Sequence, residues 1–185
     1  MSGGHGPVDH HSNKGIALLI SVLALVLAFS ETLGKSAQTA GVAANIEASN
    51  LWAFFQAKTI RQTTMRVAAN ALQAQFAEKA PESVKKQIDA WKKTAERYQS
   101  EPETGEGRKE LAERAKAAEA KRDRSMAAYH HFELASAAVQ IAIVMASASI
   151  ITSIAALAWV AGGLGAVGIA FCIIGFWFPA AVHLF

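Results

Sequence analysis

ASAAVQIAIVMASASIITSIAALA (residues 135–158) runs directly into WVAGGLGAVGIAFCIIGFWFPAAVHLF (residues 159–185), and neither stretch contains a Lys, Arg, Asp or Glu. A helix needs about 20 apolar residues, at a rise of about 1.5 Å each, to cross a hydrocarbon layer about 30 Å thick. Each stretch is long enough. The turn signal between them is Gly162-Gly163, with Trp159 just ahead of it at interface depth. The two stretches predict a transmembrane helical hairpin with spans at residues 135–158 and 160–183.

The rest of the composition is segregated to match. Of the 33 Lys, Arg, Asp and Glu residues, 30 lie between Lys35 and Glu133. That distribution belongs to a membrane protein with one water-exposed module, not to a globular domain. Within the module the two signs are interspersed. A nucleic-acid footprint would be a one-sign stripe with interleaved aromatics, so no nucleic-acid partner is expected. Cys172 is the sole cysteine and lies in an apolar run, which excludes a disulfide framework and a Cys-based metal site.

At the N-terminus, residues 1–14 read as a disordered tail rich in Gly, Ser and His. His5, His10 and His11 are the residue type for a metal, but a floppy tail is the plainer reading. Residues 15–34 read as a first transmembrane helix, with a cleaved signal peptide as the alternative. Its small residues Ala17, Ser21, Ala24 and Ala28 share one helical face, which predicts the packing face of this span. Glu31 and Lys35 continue that face.

Residues 35–134 read as a helical stalk outside the bilayer. Ser36 to Ala44 is a helix of low propensity or a loose connector. Beyond it, Ala44, Ala48, Leu51, Phe55, Lys58, Gln62, Met65, Ala69, Leu72 and Phe76 alternate by four and three, the mark of a helix-helix seam. Lys58 and Gln62 interrupt it and mark register control or a site. Val84, Ile88, Trp91, Ala95 and Tyr98 form a second seam after Pro81. Leu111, Ala115, Ala118, Ser125, Tyr129 and Phe132 form a third beyond the loop at residues 101–107. The lengths favour a three-helix, antiparallel, coiled-coil-like stalk over a middle helix that continues outward. The expected fold class is therefore all-α, with three transmembrane helices and a stalk between the first and second.

NIEASNLWAFFQAKTIRQ (residues 45–62) resembles the Asn-x-x-Ala-Ser-Asp-x-Trp-Ala-x-x-Gln-Ala-Lys-x-Ile stretch of a bacterial family, domain of unknown function 4337. FELASAAVQIAIVMAS (residues 132–147) is similar to that family's second membrane helix. The resemblance covers nearly the whole chain and implies a bacterial inner-membrane protein with three spans. It implies no activity. The chain departs from the family pattern between spans two and three, where relatives carry Lys or Arg and residues 157–162 carry no charge.

No catalytic motif stands out. GLGAVG at residues 163–168 matches G-x-G-x-x-G, but it lies in an apolar helix without the strand or the later acid that a dinucleotide site requires. Gly165 and Gly168 belong instead to a small-residue seam, Ala161, Gly165, Gly168, Cys172 and Gly175, with a counterpart at Ala138, Ala142, Met145, Ser149, Thr152 and Ala156. With three spans, Glu31, Lys35, His130, His131, Glu133 and His183 fall in one interfacial layer. Metal ligation or proton sensing there competes with a plainer reading, in which Glu31 snorkels or pairs with Lys35 and the histidines join an interfacial belt.

No cofactor or enzyme activity is expected. The favoured function is a membrane scaffold in the lipid bilayer that self-assembles as a homo-oligomer or engages another membrane or periplasmic protein. An oligomeric ion or proton channel is the alternative. Trp52 and Phe54 lie off the main seam, so they are the expected oligomer contacts, together with Gly165 and Gly168. Lys14 and the family pattern favour a periplasmic stalk, while Lys121, Arg122 and Arg124 argue against it.

Overall fold

The computed structural model describes residues 10–76 and 79–181. Among these residues four helices follow in order: α1 (His10–Phe76), α2 (Glu82–Gln99), α3 (Arg108–Thr152) and α4 (Ala155–Trp177). Among the described residues there is no strand. The all-helical class is therefore as the sequence predicts. Helices α1, α3 and α4 are each long and apolar enough to cross a membrane. Two compact units divide the chain: an apolar unit, Met1–Gly41 with Asp123–Phe185, and a charged unit, Val42–Arg122.

Helix α1 begins at His10, inside the stretch read as tail, and continues through Ser36 to Ala44 without interruption. Extending an existing helix adds a hydrogen bond for each residue fixed, so a weak helix former does not stop it. His5 lies outside the described residues. The low-propensity segment also has a packing reason in the apolar unit. A Cβ on Gly34 would meet Phe132 Cβ at 3.3 Å, and one on Gly41 would meet Met126 Sδ at 2.8 Å. Glycine at these two positions lets α1 and α3 lie close together.

The core of the apolar unit is Leu23, Val139, Ala142, Ala146 and Ala161, flanked by Ile20, Leu27, Ile143 and Leu164. Helix α4 presents the stripe expected of it: Ala161, Gly165, Gly168 and Gly175 are buried. Leu23 occupies the space that a Cβ on Gly165 would need, 2.6 Å away, and Val139 does the same at Gly168, 2.5 Å away. Within the chain the first span packs by a different face. Ala17, Ser21, Ala24 and Ala28 are all exposed, and α1 instead turns Leu23, Ser30 and Gly34 inward. Because α4 supplies the small side of the contact, the large side chains of α1 fit best against it. On α3 the buried face is Ala135, Val139, Ala142, Ala146 and Ser149, which shares only Ala142 and Ser149 with the expected stripe.

The hairpin turn also lies elsewhere. It falls at Ser153-Ile154, not at Gly162-Gly163, which are inside α4. Three β-branched residues, Ile150, Ile151 and Thr152, weaken the end of α3. Ser153 then takes a left-handed backbone, φ 59°. Ser149 Oγ donates to the Ile154 carbonyl at 3.0 Å, closing the turn. An early turn places Ala161 within α4, where it reaches the core beside Leu23 and Ala142.

In the charged unit, Ala48, Leu51, Leu111, Ala115 and Ala118 are buried between α1 and α3, with Trp52 and Phe55 packed on them. Burying a side chain such as Leu111, which is fully covered, contributes about 1.5–3 kcal/mol. Helix α2 folds back along α1: Gln62 reaches Ala95, and Lys92 reaches Gln73. The pairing is antiparallel, so the alternative of an outward-running middle helix does not hold.

Gly162→Ala and Gly163→Ala should each raise the thermal midpoint in detergent, because nothing lies within 4 Å of either added Cβ and Ala gains about 1 kcal/mol over Gly in a helix. Gly168→Ala should lower it, since Val139 and the Ala135 carbonyl must yield. Unfolding followed by circular dichroism checks the contrast.

Candidate functional site

The seam of α1 is apolar at Ala44, Ala48 and Leu51 and turns polar at Lys58 and Gln62, yet both polar residues are buried, at 6% and 2% exposure. A buried ammonium must be paired and surrounded to offset its lost hydration. Lys58 Nζ lies 3.6 Å from both Glu101 and Glu106 in the α2–α3 loop. It also sits over the rings of Phe54 and Tyr98, at 5.4 and 5.2 Å. One cation thus collects α1, α2 and the loop. Gln62 completes the layer. Its Nε2 donates to the Ala95 carbonyl at 2.9 Å and to Gln99 Oε1 at 3.1 Å, while its Oε1 accepts from Arg108 at the start of α3. Arg108 lies over the Phe55 ring at 4.9 Å. These residues fix the register of three helices.

The loop below this layer is clipped to α3. Ser100 Oγ donates to Glu110 Oε1 at 2.6 Å, and the Glu101 amide donates to Glu110 Oε2 at 3.2 Å. The Ser100 hydroxyl, with the two backbone amides, holds the Glu110 carboxyl below its ordinary value of 4.5. Gly107 is required here because a Cβ would meet the Glu101 amide, Ser100 Cα and the Glu110 carboxylate. Gly105 takes φ +68°, the left-handed backbone that glycine adopts without strain.

The interfacial residues of the apolar unit are brought together only in part. Glu31 is exposed and accepts a hydrogen bond from Gln140 Nε2 at 3.3 Å. Lys35 is exposed, and among the described residues it makes no ion pair with Glu31. His130 Nδ1 lies 3.7 Å from Glu133, whose other oxygen accepts from Tyr129 at 3.4 Å. His131 points elsewhere: it is buried, stacked against Phe171 at 6.2 Å, and its Nδ1 has no partner among the described residues. His183 lies outside the described residues. No group of three His, Cys, Asp or Glu among the described residues is placed to hold a metal ion. A groove of about 440 Å³ runs past Glu31, Lys35, Gln38, Tyr129, Glu133 and Gln140.

Trp52 finds its partner inside the chain. Its Nε1 donates to Glu119 at 2.8 Å, and its ring meets Phe55 edge-on at 5.4 Å. The expectation that it needs an external partner assumed one buried stripe per helix, whereas α1 packs against both α2 and α3. Phe54 remains partly exposed beneath Lys58. Gly165 and Gly168 are likewise taken up by Leu23 and Val139 of the same chain. Sequence reasoning singled out Lys58 and Gln62 but missed Glu101, Glu106 and Arg108. Three acids in a short loop, ahead of a basic helix start, were the available signal.

These features define a helical membrane protein with three apolar helices and one charged helical unit. The chain belongs to the family described as Domain of unknown function (DUF4337), whose model matches residues 12–178. Neither a curated protein nor a solved structure matches it.

Lys58→Ala should leave Glu101 and Glu106 facing an empty layer and destabilise the charged unit by about 1–3 kcal/mol, seen as faster amide exchange across α2 and the loop. The Glu110 clip should respond to acid. A carboxyl lowered in the folded state stabilises it above the unfolded value and loses that contribution as pH falls through the folded one. Amide exchange at residues 100–107 should therefore quicken below about pH 4.5 in the wild type and show no such step in Glu110→Gln.

Proposed function

We propose that this protein is a non-enzymatic scaffold of the bacterial inner membrane that self-assembles through its charged unit and its membrane helices. The observation that carries the reading is a second face of α1, opposite the buried seam. Ile46, Ala53, Ile60, Val67 and Ala74 recur every seven residues, and all are exposed. Ile60 and Val67 expose 67% and 61% of their surface. A shallow groove of about 500 Å³ beside them is lined by Thr59, Ile60, Thr63, Thr64, Val67 and Ala68, all from α1. A seven-residue apolar repeat is the pattern by which one helix seats against another.

A second copy of the chain is the partner that fits. Copies inserted in one membrane share an orientation, so identical helices meet in parallel with like residues opposite. The neighbouring positions Asn50, Ala57, Thr64 and Ala71 carry no charge, so self-pairing brings no repulsion to the seam. The exposed face Ala17, Ser21, Ala24 and Ala28 supports the same reading within the bilayer, where small residues allow close helix approach. In this reading the charged unit lies in the periplasm, which Lys14 ahead of the first span favours and Lys121, Arg122 and Arg124 ahead of the second oppose. An ion path is less well supported, because Ser147 and Thr152 return their hydroxyls to carbonyls of their own helix.

Mass photometry in native nanodiscs tests the proposal. The wild type should run as an oligomer, and Ile60→Glu with Val67→Glu should weaken association by about 100-fold, the scale of losing a central apolar contact. Trp52→Ala should soften the charged unit while leaving assembly intact. A monomeric wild type would remove the self-assembly reading.

A further inference from the structure

The groove between α1 and α3 in the apolar unit has a composition that membrane packing alone does not require. It is lined by two carboxylates, Glu31 and Glu133, one ammonium, Lys35, and the amides Gln38 and Gln140. Glu31 and Lys35 stand one turn apart, the spacing at which opposite charges pair along a helix. They do not pair: among the described residues Lys35 makes no ion pair, and the Glu31 carboxylate has only the Gln140 amide. Gln140 is itself braced by Ser136, within 3.3 Å. Both charges are exposed at the edge of the hydrocarbon layer, so each is open to a counter-charge from outside the chain.

We propose that this groove binds the headgroup of a zwitterionic phospholipid bearing a primary ammonium. The lipid ammonium sits against Glu31 and Glu133, and its phosphate against Lys35 and Gln38. A primary ammonium donates three hydrogen bonds, and the two carboxylates with the Gln140 carbonyl provide acceptors for all three. A quaternary ammonium has no hydrogen to donate, and a headgroup without nitrogen leaves Glu31 with only the neutral Gln140 amide, whereas Glu133 already has His130 and Tyr129 beside it. The acyl chains have a path: Ala137, Ile141 and Val144 follow from the groove along one face of α3, and all are exposed. The site draws on the membrane reading of the apolar helices and is independent of self-assembly.

The test is lipid retention by the full chain. The protein is placed in nanodiscs containing equal amounts of phosphatidylethanolamine, phosphatidylcholine and phosphatidylglycerol, and the lipids that stay bound on release are counted by native mass spectrometry. Phosphatidylethanolamine should be retained over each of the others by about tenfold, the scale of one charge-assisted hydrogen bond. Glu31→Gln and Lys35→Gln, both at exposed positions, should abolish that preference while helix content and melting in detergent stay unchanged. Soluble phosphoethanolamine at millimolar concentration should not displace the lipid. Equal retention of the three lipids, a preference for either competitor, or wild-type selectivity in both variants would overturn the proposal. Displacement by phosphoethanolamine would assign the groove to a free phosphoamine and overturn the lipid assignment.

Discussion

Hydrocarbon offers no hydrophobic force between helices, so the apolar unit must be held by how closely its backbones approach. Gly165, Gly168 and Gly175 on α4, with Gly34 and Gly41 on α1, are where that approach occurs. Dispersion falls off steeply with distance, and each missing side chain admits a neighbour's atoms into contact. Leu23 and Val139 are the atoms admitted. Much else in the apolar unit follows from this: which face α1 turns inward, why Ala161 must lie within α4, and why the hairpin closes before the glycine pair.

The charged unit solves a different problem. In water, apolar burial drives helices together but does not say in which register, because one seam of Ala and Leu slides easily against another. Lys58 and Gln62 remove that freedom. Each has partners on more than one element, and a slip of one turn would leave an ammonium and an amide buried without them. The Glu110 clip adds a second fixed point at the loop. Stability comes from the Leu51 and Leu111 layer, and specificity from the polar one above it.

Much of this was legible in the residues. Long uncharged runs, alternating four-and-three seams and the loop at residues 101–107 each predict the element found. Spacing reports the period of a helix but not which of two candidate faces a neighbour will choose. On α1 both faces are viable, one small and one large, and the choice was made by α4. The glycine pair misleads for a different reason: Gly-Gly signals a break in water but can continue a helix in a membrane, as Gly162 and Gly163 do inside α4. The Trp52 contacts with Glu119 and Phe55 lie beyond local spacing, because the number of partners around a helix is a tertiary fact. The Glu31–Gln140 contact joins residues 109 positions apart, and no local pattern links them.

Cys172 lies in the α1–α4 contact, its Sγ 3.1 Å from the hydroxyl of buried Ser30. It is the chain's single thiol. Cys172 is partly buried, and parting α1 from α4 would break its contact with Ser30 and uncover it further, so its labelling rate should rise as those two helices separate. The wild-type chain therefore carries its own reporter of helix separation, placed where no engineered probe has to disturb the packing.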